Sequence, residues 1–205
     1  MSDTAAIVLA AGLSRRIGAA NKLLMPIGET ALLRGVVVAC AAVTDHPVTV
    51  VTGHQADAIE AILQDLAVRF AHNSRFEEGQ MTSVDQGLRQ APQADSYLVA
   101  LGDQPRITAR CLQQLLSAHH ADAGERITVP IVHGQRGNPI VVPAAQRARM
   151  LADPMNLGCR KLTRTAPEIV HPYITTNESF VLDIDTADDL ARIQKGTAMP
   201  LETRQ

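Results

Sequence analysis

Short apolar segments alternate with helical patterns along the first 120 residues of the chain. Runs rich in aliphatic and β-branched residues predict four strands, which are AAIVLA, VTVVTG, VRFAHN and SYLVALGD. The segments between and after them predict four helices, which are ETALLRGVVVACAAV, ADAIEAILQDL, MTSVDQGLRQA and TARCLQQLLSAHH. Strands and helices that alternate in this way predict a three-layer, Rossmann-like α/β fold with a mostly parallel sheet.

The alternation changes after residue 125. The segment RITVPIVHGQRGNPIVVP predicts two strands joined by a glycine-rich turn, and therefore an antiparallel excursion of the sheet. AAQRARMLA and CRKLTRTA predict short helices, and SFVLDID predicts a strand. Thr186 and Asp189 have the spacing of a capping box at the start of a last helix, TADDLARIQK. We expect one domain over residues 1–195 and a flexible tail over residues 196–205.

Composition limits the possible classes of protein. The chain has 205 residues, of which 46% are hydrophobic and 2% aromatic, so one large domain with an aliphatic core is expected. A net charge of -2 gives no overall basic field, which argues against nucleic-acid binding. No apolar run approaches the ~18 residues needed to cross a membrane, so no membrane association is expected.

The cysteines argue against a structural zinc site. Cys40, Cys111 and Cys159 are far apart, and no CxxC or CxxH spacing is present. An odd number of cysteines fits a reducing compartment. The first apolar run also lacks a preceding basic region of the kind found in signal peptides. These features predict a cytoplasmic location.

The first predicted strand ends in a loop that combines glycines with basic residues, AAGLSRRIGAANK. Ligands of open parallel sheets bind at the carboxyl ends of the strands. Glycine allows main-chain N–H groups to approach an anion, and Arg15, Arg16 and Lys22 have the charge to neutralise a triphosphate. The loop matches neither the Walker pattern nor the dinucleotide pattern GxGxxG, where Ser14 takes the place of the second glycine. The alternative is a solvated basic turn.

Carboxylates follow two other apolar segments. In LVALGDQPRI, Asp103 comes directly after a predicted strand, where one carboxylate beside a triphosphate suits Mg²⁺; the alternative is an aspartate in a turn before Pro105. In FVLDIDTADDL, Asp183 and Asp185 alternate on a predicted strand, so they share a face and offer a further metal ligand. The alternative there is an exposed strand edge followed by a helix cap.

Together these segments resemble the MobA/MocA-like nucleotidyltransferases. LAAGLSRRIGAANKLL is similar to that family's LAxGxSxRMGxxK signature, with Ile17 in place of methionine. LGDQP resembles its metal-binding GDxP segment, and LDIDTADDL resembles its DIDTPEDL segment, with Ala187 in place of proline. EEGQMTSVDQGLR and HGQRGNPIVV resemble the motifs EGMxxS and GxRGHP, with Asn138 in place of histidine. The resemblance extends over about residues 5–195, and it implies the fold of the nucleotide-diphospho-sugar transferases.

The resemblance also implies a reaction. The chain has the motif LAAG, in which Ala11 is the third residue. LAAG is similar to the molybdenum cofactor cytidylyltransferase branch, which prefers CTP, whereas the branch with LAGG uses GTP. One methyl group near a base pocket contributes ~1–3 kcal/mol, so a preference is expected rather than exclusion. The terminal phosphate of molybdopterin would attack the α-phosphorus of CTP, with Mg²⁺ as cofactor. The products would be molybdopterin cytosine dinucleotide and pyrophosphate.

Matching positions imply the residues of the site. Arg16, Lys22 and Asp103 would be catalytic, and Asp103 would bind metal together with Asp183 or Asp185. The implied nucleotide site consists of Leu9, Ala10, Ala11, Gly12, Ser14, Arg16, Lys22, Thr82, Ser83 and Asp103.

Some of these assignments have simple structural alternatives. Thr82 and Ser83 would contact base or ribose, but they are equally placed to cap a helix. Arg136 and Arg160 would bind the phosphate of the pterin, although Arg136 also suits the tip of a hairpin. The pair His119 and His120 at the end of a helix is interpreted as structural.

Three other functions remain open. The same chemistry could use GTP or another phosphorylated acceptor. A carrier of molybdenum cofactor, handing it to a molybdenum hydroxylase apo-enzyme, needs no turnover, but the presence of Lys22 and Asp103 argues against pure carriage. An NAD(P)-dependent oxidoreductase is the third, and the missing GxGxxG argues against it. Catalysis of nucleotidyl transfer and delivery of the product to a partner hydroxylase are compatible, because a labile product would pass directly to the recipient enzyme.

Overall fold

The computed structural model describes residues 3–13, 21–152 and 163–194. The strands are β1 (Thr4–Leu9), β2 (Pro26–Ile27), β3 (Thr30–Ala31), β4 (Val48–Thr52), β5 (Val68–His72), β6 (Ser96–Leu101), β7 (Ile127–Val132), β8 (Gln135–Arg136), β9 (Ile140–Pro143) and β10 (Val170–Thr175). The α-helices are α1 (Leu32–Ala41), α2 (Ala56–Ala61), α3 (Gln80–Gln90), α4 (Ala109–Ala121), α5 (Ala144–Ala152) and α6 (Ala187–Gln194). Short 3₁₀ turns lie at Lys22–Leu24, Phe76–Glu78, Pro167–Ile169 and Glu178–Phe180.

The main sheet has the strand order β10-β7-β9-β6-β1-β4-β5. Strands β5, β4, β1 and β6 are parallel, whereas β9 runs antiparallel to both β6 and β7. At the edge, β10 is parallel to β7, and the short strand β8 folds back on β7. The turn between β7 and β8 consists of His133 and Gly134, both with positive φ, as hairpin turns of two residues require. The predicted parallel sheet with an antiparallel excursion is confirmed.

Strand β1 lies at the centre of the sheet and is buried on both faces. Ala6 and Val8 point into a core formed with α1 and α4, whereas Ala5 and Ile7 point into a second core formed with α3 and α5. Helices cover both faces, so the strand is apolar throughout instead of alternating. The predicted three layers follow from this arrangement.

Three predicted helix starts can be compared with the structure. The Thr108 hydroxyl accepts a hydrogen bond from Cys111 N at 3.3 Å and caps α4. The side chains of Thr186 and Asp189 each accept a hydrogen bond from the other residue's main-chain N–H, so the predicted capping box is confirmed. Helix α3 starts earlier than predicted, at Gln80, with Gly79 in the N-cap position. Thr82 and Ser83 therefore lie inside its first turn, and their prediction as caps is wrong.

One predicted strand is absent from the described chain, and four strands were missed. The segment SFVLDID forms a 3₁₀ turn and an irregular stretch, although Phe180, Leu182 and Ile184 are alternately buried as in a strand. Its main chain bonds to loops, because Asn138 N donates to Phe180 O and Ile184 N donates to Asp103 O. The missed strands are the two-residue β2, β3 and β8 and the longer β10, which contains Pro172 and lies at the edge of the sheet.

Other predictions fall outside the described residues. The first half of the helix predicted for CRKLTRTA and all of the tail at 196–205 lie there, whereas residues 163–165 are helical. Among the residues that the structure describes, no helix combines the length and the apolar character needed to cross a membrane.

Candidate active site

The carboxyl ends of β1, β4 and β6 meet at one edge of the sheet. Main-chain bonds hold this edge together, since Ala10 N donates to Val51 O at 2.9 Å and Gly102 N donates to Leu9 O at 3.0 Å. An ideal Cβ on Gly102 would lie 2.8 Å from Leu33 Cδ1 and 3.0 Å from Leu9 O, so a side chain there would force the two strands apart. Glycine at this position therefore allows the chain to pass directly from β6 to Asp103.

Lys22 reaches the same edge from a 3₁₀ turn. Asn21 Oδ1 accepts a hydrogen bond from Leu23 N at 3.1 Å, and Leu23 is buried in the core beneath. The Asn21 cap and the buried Leu23 side chain thus hold the turn in place. Lys22 lies at the edge of the sheet where β1, β4 and β6 end. Its ammonium group lies 2.7 Å from Asp103 Oδ2 and donates to Ile184 O at 2.6 Å.

Three carboxylates come together beside this lysine. One oxygen from each of Asp103, Asp183 and Asp185 lies within 4.8 Å of the other two, and Asp185 Oδ1 is 3.8 Å from Lys22 Nζ. Carboxylates this close repel one another unless cations compensate, and Lys22 supplies one such cation. Asp103 Oδ1 is buried, and it has no hydrogen-bond partner within the described part of the chain. An all-oxygen set of this kind suits a hard divalent cation such as Mg²⁺.

Gln104 connects the loops around the site, and no pattern in the sequence pointed to this residue. It is 2% exposed, and its Nε2 group donates to Asn138 O at 3.0 Å and to Phe180 O at 3.1 Å. The side chain therefore joins the loop that carries Asp103 to the β8–β9 loop and to the segment that precedes Asp183. A side-chain amide beside an aspartate has no periodicity, which explains why pattern analysis missed it.

A second buried amide organises the start of α3. Asn73 follows β5, and its Nδ2 group donates to Thr82 Oγ1 at 2.9 Å and to Ser83 Oγ at 3.0 Å. Helix α3 begins at the same edge of the sheet as the lysine and the carboxylates, because it runs antiparallel to the strands it packs on. Thr82 and Ser83 are thus part of this edge, and Asn73, which sequence analysis did not identify, holds both side chains there.

Arg136 lies on β8, which follows the carboxyl end of β7 and pairs with it. Strand β7 runs in the same direction as β6, so this end lies at the same edge as Asp103. The Arg136 Nη2 group donates to Thr163 Oγ1. The next residue, Gly137, packs so tightly that an ideal Cβ would lie 2.5 Å from Phe180 O.

The structure brings Lys22, Asp103, Asp183 and Asp185 into one cluster, as the sequence predicted. Leu9, Ala10 and Ala11 are buried where β1 ends, and Gly12, which follows them, is exposed. Three other predicted residues lie outside the described part of the chain, namely Ser14, Arg16 and Arg160.

A three-layer fold with a lysine and three carboxylates at the carboxyl ends of its parallel strands defines a nucleotidyltransferase. Residues 6–170 match the family model of the MobA-like NTP transferase domain. The chain belongs to this family, and its enzymatic class is nucleotidyltransferase.

Two solved structures share this fold, and one relative aligns over almost the whole chain. A nucleotidyl transferase from Methanothermobacter thermautotroptrophicus superimposes with a TM-score of 0.78 over 95% of this chain and 97% of that one, at 23% identity. A homologue of Mycobacterium tuberculosis Rv0371c from Mycobacterium sp. strain JC1 gives a TM-score of 0.77 at 26% identity, covering 94% of this chain and 96% of that one. A relative from Paenarthrobacter nicotinovorans named nicotine blue oxidoreductase is 28% identical over 91% of this chain and 94% of its own length.

Proposed function

We propose that the chain transfers CMP from CTP to the terminal phosphate of molybdopterin, giving molybdopterin cytosine dinucleotide and pyrophosphate. The observation that carries this proposal is the cluster of Lys22 with Asp103, Asp183 and Asp185 at the edge where a nucleotide would bind. A phosphate oxygen of the acceptor forms a bond with the α-phosphorus. The bond from that phosphorus to the oxygen bridging to the β-phosphate breaks, and pyrophosphate leaves with the electron pair.

Asp103, Asp183 and Asp185 would hold Mg²⁺. The orphaned Asp103 Oδ1 and the purely oxygen donor set fit this ion. When bound, Mg²⁺ supplies positive charge to the phosphate oxygens. Ile184 N donates to Asp103 O at 3.1 Å and thereby keeps the two acidic segments together.

Lys22 would bind the triphosphate and stabilise the charge on the leaving pyrophosphate. Its ammonium group is fixed by Asp103 Oδ2 and Ile184 O, so it needs little reorganisation when the nucleotide arrives. Positioning and charge stabilisation of this kind provide most of the catalysis in phosphoryl transfer. Arg16 and Ser14 are proposed to complete the triphosphate site from the loop after β1.

The preference for CTP rests on Ala11 and on the family resemblance. The Ala11 side chain is 3% exposed, and an ideal Cβ on Gly53 would lie 2.8 Å from its methyl group. The methyl group therefore packs against the neighbouring strand end, and we propose that it selects the base through the position of the main chain. Arg136 and Arg160 are proposed to bind the phosphate of the pterin, and a molybdenum hydroxylase apo-enzyme is the proposed recipient of the product.

The test is pyrophosphate release with Mg²⁺ and molybdenum cofactor, with CTP, GTP and ATP offered separately. We expect release with CTP at a rate well above that with GTP. Faster release with GTP would retain the chemistry and reverse the nucleotide preference. No release with any nucleotide, from folded protein and intact cofactor, would contradict the proposed reaction. The same mixture with Asp103→Asn protein controls for contaminating pyrophosphatase or transferase.

The name of one relative supports a second candidate. Nicotine blue oxidoreductase aligns over most of both chains, so a redox activity is the alternative to nucleotidyl transfer. The chain lacks GxGxxG after β1, the loop that would cradle a dinucleotide pyrophosphate. Titration with NADH and NADPH, followed by nucleotide fluorescence, tests this directly. A saturable change in fluorescence would favour the oxidoreductase, and its absence is the result we expect.

A further inference from the structure

Asn73 follows β5 and makes four hydrogen bonds, two of which join it to the first turn of α3. Its main-chain N donates to Thr52 O at 2.8 Å, and its Oδ1 accepts from Arg75 N at 3.0 Å. Its Nδ2 group donates to the hydroxyls of Thr82 and Ser83. The residue is 4% exposed, so its amide is held by protein groups on every side.

These partners fix the direction of each bond. A main-chain N–H can only donate, so the amide atom that faces Arg75 N is the oxygen, and the NH₂ group faces the two hydroxyls. Each of its two hydrogens then serves one hydroxyl oxygen. Both hydroxyls are therefore acceptors towards Asn73, and each retains its own proton to donate elsewhere.

The hydroxyl protons of Thr82 and Ser83 differ in whether a protein group accepts them. Thr82 Oγ1 lies 2.9 Å from both Arg75 O and Gly79 O, so its proton has an acceptor in the main chain. Ser83 is 5% exposed, and within the described chain Asn73 is the one hydrogen-bond partner of its hydroxyl. A nearly buried hydroxyl proton without an acceptor is unfavourable unless a ligand or water accepts it.

Ser83 is also at the edge where the nucleotide would bind. One turn further along α3, an ideal Cβ on Gly87 would lie 2.5 Å from Ile7 Cγ2, so the helix packs very closely on β1. Val84, next to Ser83, belongs to the same apolar cluster as Leu9, with which β1 ends, and Ala11 beyond it. Ser83 therefore lies in the first turn of a helix that begins at the edge of the sheet where β1 ends.

We propose that Asn73 is a positioning residue that makes Ser83 a hydrogen-bond donor to the nucleoside part of the bound nucleotide. This inference rests on the proposed function, and it names the polarity of that contact. The matching ligand group is an acceptor, which is a carbonyl oxygen or ring nitrogen of the base or an oxygen of the ribose. Thr82, by contrast, donates to its own main chain and stabilises the helix start.

Two variants test the polarity. Ser83→Ala removes the donor. Asn73→Asp retains an acceptor for Arg75 N but replaces the NH₂ group by an oxygen, which would take the Ser83 proton for itself. The dissociation constants of CTP and of inorganic tripolyphosphate are measured by calorimetry without acceptor. We expect each variant to raise the dissociation constant of CTP about tenfold, the loss typical of one hydrogen bond, and to leave that of tripolyphosphate unchanged.

Gln86→Ala provides the matched control. Gln86 Nε2 donates to His72 O at 3.1 Å, so this variant also removes a hydrogen bond that a side-chain amide makes between α3 and the end of β5. It should change the dissociation constant of CTP by less than about twofold, because it leaves Asn73 and Ser83 in place. Denaturant unfolding identifies any variant that does not fold, in which case Ser83→Ala alone carries the test.

The outcomes separate the two proposals. Wild-type protein that binds no nucleotide would overturn both. Wild-type protein that binds CTP, with unchanged binding by Ser83→Ala, would overturn the role of Asn73 and Ser83 alone. Equal losses for CTP and tripolyphosphate would also overturn it, since they would indicate a displaced helix. The same comparison of wild type with Ser83→Ala is made with 2′,3′-dideoxy-CTP. If Ser83→Ala still binds this nucleotide more weakly than wild type, the contact is to the base. If the two proteins bind it equally, the contact is to a ribose hydroxyl, and both results support the proposal.

Discussion

Lys22 Nζ lies 2.7 Å from one oxygen of Asp103, while the other oxygen of that carboxylate is buried and has no partner in the described part of the chain. The lysine thus fixes the orientation of the carboxylate and leaves Oδ1 for another cation. The two residues are 81 positions apart, on a turn after β1 and on the loop after β6. Their contact is the centre of the proposed catalytic site.

Asp103→Asn should lower Mg²⁺-dependent pyrophosphate release by roughly 100-fold or more, because the amide is a weaker metal ligand and alters the contact with Lys22. The measurement is the initial rate at saturating CTP, together with circular dichroism to show that the fold is intact. Asp57→Asn, which removes an exposed carboxylate at the start of α2, should retain the wild-type rate. Wild-type turnover by Asp103→Asn would remove this residue from the site.

Lys22→Met should have opposite effects on two ligands. The ammonium group lies beside the three carboxylates and repels a metal cation bound to Asp103 Oδ1, so its loss should tighten Mn²⁺ binding to the nucleotide-free protein by about three- to tenfold. The same variant should weaken CTP binding and slow transfer. Electron paramagnetic resonance gives the Mn²⁺ affinity. Arg69→Met, which removes an exposed cation from β5, should alter neither value; equal Mn²⁺ affinities for Lys22→Met and wild type would show that the lysine does not repel the metal.

Much of the fold and part of the site could be predicted from the sequence. The parallel strands were recognisable because β1, β4 and β6 are buried on both faces and therefore consist mostly of aliphatic and β-branched residues. Asp103 could be found because it directly follows such a strand. Asp183 and Asp185 could be found too, although the reason given for them, a shared strand face, is wrong.

Other features depend on contacts that leave no periodic signal. Lys22 donates to Ile184 O, 162 positions away, and nothing in either local segment indicates that contact. The alternation in SFVLDID does describe which side chains are buried, but its main chain pairs with loops instead of a strand. Asn73 and Gln104 act through single amides, and only the folded chain shows which groups they join.

Gln104→Met should lower the free energy of unfolding by ~1–2 kcal/mol, because Asn138 O loses the Gln104 donor and Phe180 O retains only its bond from Asn138 N. Urea denaturation measures this loss. Gln194→Met is the matched control, since its amide also donates to a main-chain carbonyl, Pro26 O at 2.9 Å, but on the surface. That change should remain within ~0.5 kcal/mol. Equal effects of the two variants would contradict the assigned role of Gln104.

Two helical glycines should respond oppositely to alanine. Around Gly35 on α1, no described atom lies within 4 Å of an ideal Cβ, so Gly35→Ala should stabilise the protein by about 0.5–1 kcal/mol through helix propensity. At Gly87 on α3, the same Cβ would lie 2.5 Å from Ile7 Cγ2, and Gly87→Ala should destabilise by about 1–3 kcal/mol. Thermal unfolding of the two variants compares them directly, and changes of the same sign would contradict the close packing of α3 on β1.

His119 should make the protein less stable in mild acid. It is 1% exposed, its Nδ1 group bonds with Thr128 Oγ1 at 2.9 Å, and burial lowers the pKa of its imidazole from 6.5 to about 4. Between these two values the unfolded chain binds a proton that the folded chain does not, so the free energy of unfolding rises with pH across this window. The full effect approaches ~3 kcal/mol.

Urea titrations at several pH values between about 4 and 7 measure this dependence. His119→Asn retains a polar partner for Thr128 but cannot titrate, so its stability should change less steeply with pH over that range. His120→Gln removes the exposed neighbouring histidine and should retain most of the wild-type slope. If His119→Asn shows the same slope as wild type, other groups cause the acid sensitivity, because the buried imidazole is the only ionisable group that this substitution removes.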